Sequence, residues 1–260
     1  MSYETLQLEF DGALATIILT RPEKRNAISA QMISELLAAL GEVESSHARV
    51  LIATGLGKAF CAGMDLEGLR AIAVQSHKEH LEDSRRMASM FHRIYSFPKP
   101  IICAVNGAAI AGGCGIATLG DFTLAVPEAK FGYTEVRIGF VPALVSVFLR
   151  RQIGDKRSRD LLLSGRIIEA DEAHRLGLVT EIVPADGLLS RAREIASGLL
   201  ASSPTSVAAT KRLLLSYDRA AIESELELAI RENAAIRSTA DFREGVSSFL
   251  EKRDPKWTGR

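Results

Sequence analysis

The stretch Asn106-Gly-Ala-Ala-Ile-Ala-Gly-Gly-Cys-Gly115 directly follows a short apolar run, Ile101–Val105, which prolines at positions 98 and 100 precede. Such a run is typical of a buried strand, and the apolar residues after Gly115 predict a helix that begins near Gly112. The first turn of a helix leaves backbone N–H groups without partners, at the positive end of its dipole. The glycines let a ligand oxygen approach these groups. The stretch therefore predicts a site for a phosphate or for an oxygen that gains negative charge during a reaction.

The same glycines also allow a plainer interpretation, in which the helix only packs closely against the strand. The stretch lacks the lysine of a phosphate-binding P-loop and the G-x-G-x-x-G spacing of a dinucleotide fold. A second stretch, Phe60-Cys-Ala-Gly-Met-Asp-Leu66, favours the functional interpretation. It too follows an apolar run, Val50–Ala53, and carries a glycine just before a predicted helix.

Composition excludes several classes of function. With 260 residues, 47% of them hydrophobic and 25% charged, the chain suits one large domain, with or without an appendage. The basic and acidic side chains balance at 32 each, which predicts neither a nucleic-acid partner nor a membrane partner. Three cysteines without C-x-x-C pairing indicate a reducing compartment and no metal site. We therefore expect a cytoplasmic protein.

The chain divides by its periodicity into two parts, residues 1–200 and 201–260. Residues 1–200 alternate between strand and helix patterns, beginning with a predicted hairpin and a helix capped by Ser29. Residues 201–260 predict helices only, over 205–217, 219–238 and 241–251, whose apolar stripes need a partner surface. The fold class is therefore α/β.

Smaller segments give further predictions. Residues 54–58 predict a turn, Glu135–Gly139 a loop, Ile168–Leu176 a helix and Leu178–Val183 a strand. Residues 66–95 predict helices that cover a pocket, with His77 and His80 on a solvated face.

Five short motifs extend in order along nearly the whole chain. They are Arg21-Pro with Asn26-Ala27; Phe60–Leu66; Asn106-Gly through Gly112-Gly-Cys114 with Asp121; Lys130-Phe with Glu135 and Ile138-Gly; and Glu244-Gly with Phe249–Arg253. In this order they resemble the crotonase superfamily, the enoyl-CoA hydratase/isomerase family, with Ala111 in place of one motif glycine. The resemblance implies a spiral of ββα turns over residues 1–200 and a C-terminal helical trimerisation segment over residues 201–260.

The resemblance also implies partners. It predicts an acyl-CoA thioester substrate, no cofactor beyond the coenzyme A that the substrate carries, and a homotrimer or a dimer of trimers. The thioester carbonyl would lie between the backbone N–H groups of Met64 and Gly112, an oxyanion hole in which an enolate is stabilised. The other residues that the resemblance places around the substrate and coenzyme A are Arg25, Ala27, Ala62, Asp65, Leu66, Ile110 and, from an adjacent subunit, Lys252. Asp65 could instead be a helix cap, and Lys252 a solvated charge at a helix end.

The resemblance implies that Glu135 is the catalytic acid and base, because it occupies the position of one of the two catalytic glutamates of the family. The position of the other is Gly115, whose missing side chain is expected to leave space beside the thioester. The usual glycine-rich run after the second glutamate is replaced by the apolar Val141–Phe148. Hydration that depends on two carboxylates is therefore in doubt.

Three functions stay open from the sequence. The first is an isomerase in which one glutamate moves a proton between the α- and γ-carbons. The second is a hydratase in which Glu67 or Glu79 replaces the missing acid. The third is a non-catalytic acyl-CoA-binding protein. A thiol nucleophile at Cys61 or Cys114 is also conceivable, but no base is near either in the sequence, so we expect buried structural thiols.

Overall fold

The computed structural model describes residues 2–72 and 75–260, with the side chains of Leu66 and Glu67 outside the description. The described strands are β1 (Leu6–Asp11), β2 (Leu14–Leu19), β3 (Val50–Gly55), β4 (Ala59–Cys61), β5 (Ile101–Val105), β6 (Ala108–Ile110), β7 (Phe122–Ala125), β8 (Lys130–Gly132), β9 (Ile167–Glu169) and β10 (Glu181–Ile182). The described helices are α1 (Ala30–Ser45), α2 (Leu66–Ile72), α3 (His77–Tyr95), α4 (Gly112–Thr118), α5 (Ala143–Ile153), α6 (Asp155–Ser164), α7 (Ala170–Leu176), α8 (Leu188–Ala201), α9 (Pro204–Ile236) and α10 (Ala240–Glu251). None of these helices is long and apolar enough to cross a membrane.

Two sheets organise the first 200 residues. One has the strand order β1-β2-β3-β5-β7-β10, and the other has the order β4-β6-β8-β9. The pairs β3 and β4, β5 and β6, and β7 and β8 each give one strand to each sheet, and a helix follows each pair. Neighbouring strands that come from successive pairs run parallel. This is a spiral of ββα turns, as the resemblance predicted.

The core lies between the larger sheet and the helices that cover it. Every residue of β5 is buried, as expected for a central parallel strand with both faces covered. Helix α1 presents Ile33, Leu36 and Leu40 to this core at helical spacing, and the Ser29 hydroxyl accepts a hydrogen bond from the Met32 N–H. Burial of each such side chain stabilises the fold by about 1.5–3 kcal/mol.

Several predicted elements differ from those observed. Thr54 and Gly55 end strand β3 instead of starting a turn, and Ile168 and Glu169 belong to strand β9 instead of to a helix. Only residues 181–182 of the strand predicted over 178–183 form strand β10. Strands β4 and β6, of three residues each, are too short to show a periodicity and were not predicted.

The C-terminal helices also differ from the prediction. Residues 204–236 form one helix, α9, because they contain no glycine and their one proline occupies the first turn, where it is tolerated. His80 is buried, with Nε2 2.9 Å from the Ile72 carbonyl oxygen, so its predicted place on a solvated face is wrong. His77 is exposed, as predicted.

A short 3-10 turn, Glu135–Ile138, replaces the predicted loop, and helix α10 packs directly against it. The contact is so close that a Cβ atom at Gly245 would collide with the Ile138 carbonyl group. On the opposite side of the contact, a Cβ atom at Gly139 would collide with the Asp241 carbonyl group. Glycine at both positions therefore lets the last helix hold the turn that carries Glu135.

Candidate active site

A pocket of about 210 Å³ lies where the second and third motif segments meet helices α3, α5 and α9. Ala62 and Met64 line it from one motif segment, and Ile110 and Gly112 from the other. The structure thus brings these four predicted residues together with Glu135. Most of the remaining lining is apolar, contributed by α3, α5 and the residues that lead into α5. These include Val141–Val145, the first five residues of the apolar run Val141–Phe148.

Met64 and Gly112 both lie next to Ile28, and Met64 pairs with it in an isolated parallel bridge. The Ile28 N–H donates to the Gly63 carbonyl at 2.7 Å, and the Ile28 carbonyl accepts from the Asp65 N–H at 3.0 Å. In an extended chain successive N–H groups alternate in direction, so the amide of Met64 turns away from Ile28. Gly112 is the first residue of α4 and has no acceptor within that helix. A Cβ atom at Gly112 would lie 3.2 Å from the Ile28 side chain.

Ala111, just before α4, has an unusual backbone conformation. Its φ of 51° and ψ of −126° lie in a region that glycine tolerates and alanine disfavours. The Ala111 N–H donates to the Gly132 carbonyl at 2.7 Å, which ties the start of α4 to strand β8. The alanine therefore keeps the backbone geometry that a motif glycine would supply, at the cost of local strain.

Glu135 is buried in the pocket wall, and burial raises the pKa of its carboxyl to about 7, from an ordinary value of 4.5. No residue within the described ranges donates a hydrogen bond to its Oε2 atom. Among the described side chains that line the pocket, it is the only acidic one. A carboxylate in this setting can accept a proton near neutral pH and can also give it back.

Gly115, where a second glutamate was sought, does not line this pocket. A Cβ atom at Gly115 would lie 2.8 Å from Val145 Cγ1 and 3.1 Å from Phe91 Cε1. Val145 and Phe91 both line the pocket, so they occupy the space that the missing side chain was expected to leave. The expectation of free space beside the thioester is therefore wrong, because bulky side chains from α3 and α5 fill it.

Asp65 makes two structural contacts in this structure. Its Oδ1 accepts from the Gly68 N–H at 2.8 Å, which caps α2, and its Oδ2 pairs with Arg21 at 3.2 Å. Arg21 also donates to the Ala27 carbonyl at 2.7 Å. The helix cap, which the sequence allowed as an alternative role of Asp65, is therefore present. A contact of Asp65 with coenzyme A stays a prediction.

The other predicted coenzyme A residues lie outside the pocket lining. Arg25 is exposed, and its carbonyl accepts from the Ala62 N–H at 3.0 Å, while Ala27 is buried. Lys252 is exposed at the end of α10, and its role in a neighbouring subunit stays a prediction. The side chain of Leu66 lies outside the described residues.

Of the two alternative acids, Glu79 does not line the pocket, and the prediction for Glu67 lies outside the described side chains. Glu79 is exposed and forms a capping box with Ser76 at the start of α3, which is its role here. The side chain of Glu67 is among those that the description leaves out.

The thiols of Cys61 and Cys114 are buried, and burial raises the pKa of each to about 12. Neither is a thiolate at neutral pH, so the prediction of buried structural thiols is confirmed. In the part of the chain that the structure describes, no group of three or more side chains could hold a metal ion.

Sequence reasoning missed the contribution of the C-terminal helices to the pocket. Asn233 of α9, Arg237 directly after its last residue and Phe249 of α10 line it, whereas the sequence assigned this segment to oligomerisation and, through Lys252, to a neighbouring subunit's coenzyme A. Phe249 belongs to the fifth motif, but no motif marks Asn233 or Arg237. The i, i+4 spacing of Asn233 and Arg237 places them on one helix face, and this was the only available signal.

Comparisons with known proteins show the family of the chain. The family model described as enoyl-CoA hydratase/isomerase matches residues 9–260, so the chain belongs to this family. A Thermus thermophilus protein provisionally named an enoyl-CoA hydratase is 44% identical over 95% of this chain and 98% of its own length. The 1,2-epoxyphenylacetyl-CoA isomerase of Escherichia coli is 31% identical over 96% of this chain and 97% of its own. A crystal structure of an enoyl-CoA hydratase/isomerase from Xanthobacter autotrophicus Py2 superposes with a TM-score of 0.89, at 29% identity, over 97% of this chain and 98% of that one.

Proposed function

We propose that the protein is an enoyl-CoA isomerase in which Glu135 alone moves the proton. The observation that carries the proposal is the pocket itself. Glu135 is the one acidic side chain among its described lining residues, and Val145 and Phe91 fill the position of a second. Moving a double bond along an acyl chain needs one base, whereas adding water by the two-carboxylate route needs two acids.

The backbone amides of Met64 and Gly112 would hold the thioester carbonyl oxygen. Both residues line the pocket, and neither amide has an acceptor that we find among the described residues. When a proton leaves the α-carbon, negative charge moves onto this oxygen, and two fixed N–H donors stabilise it. Loss of one such donor typically costs about 2.7–4 kcal/mol of transition-state stabilisation.

Glu135 would then act as base and as acid in one reaction. Its carboxylate takes the α-proton of a 3-enoyl thioester, and the C–H electron pair enters the conjugated dienolate. The protonated Glu135 returns the proton to the γ-carbon, which gives the 2-enoyl thioester with no net change in atoms. A pKa of about 7 suits both halves, because the group is readily ionised and readily protonated near neutral pH.

A hydratase is the second candidate, and the relatives favour it, since the Thermus thermophilus protein carries a hydratase name. In that reaction Glu135 would activate water without a partner carboxylate. The apolar segment Val141–Val145 opposes this, because it offers no side-chain donor or acceptor to hold a water molecule.

The test is an assay of the purified protein with 3-hexenoyl-CoA and with crotonyl-CoA, in ordinary and in deuterated water. We expect isomerisation of the 3-enoyl thioester and little water addition to crotonyl-CoA. In the Glu135→Gln variant turnover should fall about 10³-fold, because an amide cannot accept the proton, while binding of a saturated acyl-CoA is retained.

Glu128→Gln is the matched control, because Glu128 is exposed and lies outside the pocket lining. It should leave turnover unchanged. Near-full activity of Glu135→Gln on every thioester that the wild type converts would overturn the assignment of Glu135. Faster hydration than isomerisation by the wild type would favour the second candidate.

A further inference from the structure

A polar cluster at the α3–α9 contact reaches the otherwise apolar pocket. Arg237 donates from Nη1 to Asp83 at 2.7 Å and from Nη2 to the Asn233 Oδ1 atom at 2.8 Å. The hydroxyl of Ser84 donates to the same Oδ1 atom at 2.8 Å. Asn233 and Arg237 both line the pocket, and we call these two residues the polar wall.

The polar wall has donors left over after these bonds are counted. The Arg237 side chain is only 1% exposed, and its buried Nε–H has no acceptor within the described structure. The Asn233 Oδ1 atom accepts two hydrogen bonds, and its Nδ2 group donates none that we find among the described residues. A buried donor without an acceptor destabilises the folded protein. If this cluster only joined the two helices, it would not need donors that lack acceptors.

The wall is rigid and close to neutral in charge. The guanidinium lies over the Phe140 ring at 5.3 Å from the ring centroid, and Phe140 itself lines the pocket. Asp83 balances the charge of Arg237, and Asn233 carries none. A ligand group that satisfies the wall should therefore be a hydrogen-bond acceptor without a full negative charge of its own.

We propose that the polar wall selects acyl-CoA thioesters whose acyl chain carries a neutral oxygen acceptor, such as a ketone, ether or ring oxygen. Asn233 Nδ2 would donate to that oxygen, while the apolar residues hold the rest of the chain. Arg237 would hold the Asn233 amide in place through its bond to Oδ1, so Asn233 is a specificity-determining residue and Arg237 a positioning residue, and neither takes part in proton transfer. The proposal rests on the proposed function, because it takes an acyl-CoA as the ligand.

Binding of saturated probes tests the proposal without any chemistry. The probes are octanoyl-CoA and a series of oxo-octanoyl-CoAs with the ketone placed at successive carbons from C4 to C7. Titration calorimetry gives the affinity of each for the wild-type protein. We expect one ketone position to bind up to about tenfold more tightly than octanoyl-CoA, as one hydrogen bond allows.

If the polar wall is only structural, the ketone should weaken binding instead of strengthening it. In a pocket without available donors, the ketone loses its bonds to water on burial and weakens binding at every position. If no position tightens binding, the proposal is overturned. A further probe, the carboxylate-ended octanedioyl-CoA, tests the predicted neutrality. It should bind more weakly than the best ketone, and tighter binding would overturn the assignment to a neutral acceptor.

A double variant tests whether the polar wall is responsible. Asp83→Leu with Arg237→Met removes both charges together, so that neither is left buried alone. The preference for the best ketone should vanish, while octanoyl-CoA still binds. Retention of the preference would overturn the role of Arg237.

The matched control is Arg151→Met with Glu225→Leu, another ion pair to α9, with its N–O distance at 2.7 Å and neither residue lining the pocket. It should keep the preference. The wild-type comparison remains decisive even if the first double variant does not fold. None of these readouts requires turnover, so they fail independently of the Glu135→Gln assay.

Discussion

Two buried carboxylates lie in contrasting regions of the molecule, and the difference separates an acid with structural partners from the acid that we propose to be catalytic. Asp65 and Glu135 are exposed by 6% and 8%, and both belong to sequence motifs. Asp65 has Arg21 and the Gly68 N–H as partners, and it closes a network that also holds the Ala27 carbonyl. Glu135 lies among mostly apolar pocket residues, and no described residue donates to its Oε2 atom. Burial alone therefore does not distinguish the two acids, whereas burial without a partner makes Glu135 the candidate for proton transfer.

A second carboxylate near Glu135 tests whether the site can be changed into one with two acids. Gly115→Glu should lower the free energy of unfolding by about 3 kcal/mol or more, because the new side chain meets Val145 and Phe91 and buries a charge. Hydration of crotonyl-CoA should not rise. Adding Val145→Ala to this variant should recover part of the stability.

Chemical denaturation and a hydration assay check this prediction. Gly198→Glu is the control, since a Cβ atom at Gly198 meets nothing within 4 Å. Full stability of Gly115→Glu combined with a gain in hydration would show that the position has room after all.

Replacing each acid by its neutral amide should change the free energy of unfolding in opposite directions. Glu135→Gln removes a buried charge that has no ion-pair partner, and at pH 8 it should raise the free energy of unfolding by about 2–3 kcal/mol. Asp65→Asn removes the partner of Arg21 and should lower it by about 2 kcal/mol. Urea titrations at pH 8 measure both. A loss of stability in Glu135→Gln would mean that Glu135 is held by contacts that the structure does not show.

The contribution of Glu135 to stability should also depend on pH. Because the folded-state pKa of Glu135 is about 7 and its ordinary value is 4.5, the folded protein binds the extra proton between these two values. The contribution of Glu135 to stability is therefore most favourable below about pH 4.5 and is lost as pH rises to about 7. The advantage of Glu135→Gln should vanish at the acid end of this window and be complete above pH 7.

The same ionisation should govern catalysis. The carboxylate form is the base, so kcat/KM for a 3-enoyl thioester should fall as pH drops below about 7. A pH–rate profile that stays flat down to pH 5 would contradict this pKa. Profiles of the wild type and of Glu128→Gln should coincide.

The smallest expected effect on stability comes from the strained backbone at Ala111. Ala111→Gly should raise the free energy of unfolding by about 0.5–1 kcal/mol. It relieves the strain at φ 51°, and part of the gain is offset by the greater freedom of glycine in the unfolded chain. Thermal unfolding checks this. Gly41→Ala, in the middle of α1 with open space around it, should also stabilise the protein, by removing a glycine from a helix. A lower stability of Ala111→Gly would mean that the alanine side chain contributes contacts worth more than the strain.

The sequence predicted those parts of the site that depend on local backbone. The apolar run and the glycines after it predicted that a helix begins near Gly112, and α4 begins there. The place of Met64 opposite Gly112 was implied only by the resemblance. The sequence could not predict that Val145 and Phe91 occupy the space at Gly115, because they come from α5 and α3, distant in the chain. For the same reason Asn233 and Arg237 were missed. Helical periodicity shows which face of α9 is apolar but not which part of that face lines a pocket.

The contact of α10 with the Glu135 turn has a consequence for when the site can exist. Gly245 fits against Ile138, and Phe249 lines the pocket together with Ala62, so the pocket joins segments almost 190 positions apart. Such non-local contacts form late in folding, after the loop-closure entropy has been overcome. A nascent chain that has completed only the two sheets carries Glu135 on a turn that nothing yet clamps. We therefore expect the competence to move a proton to appear only when the final helix docks, as the last event in the maturation of each chain.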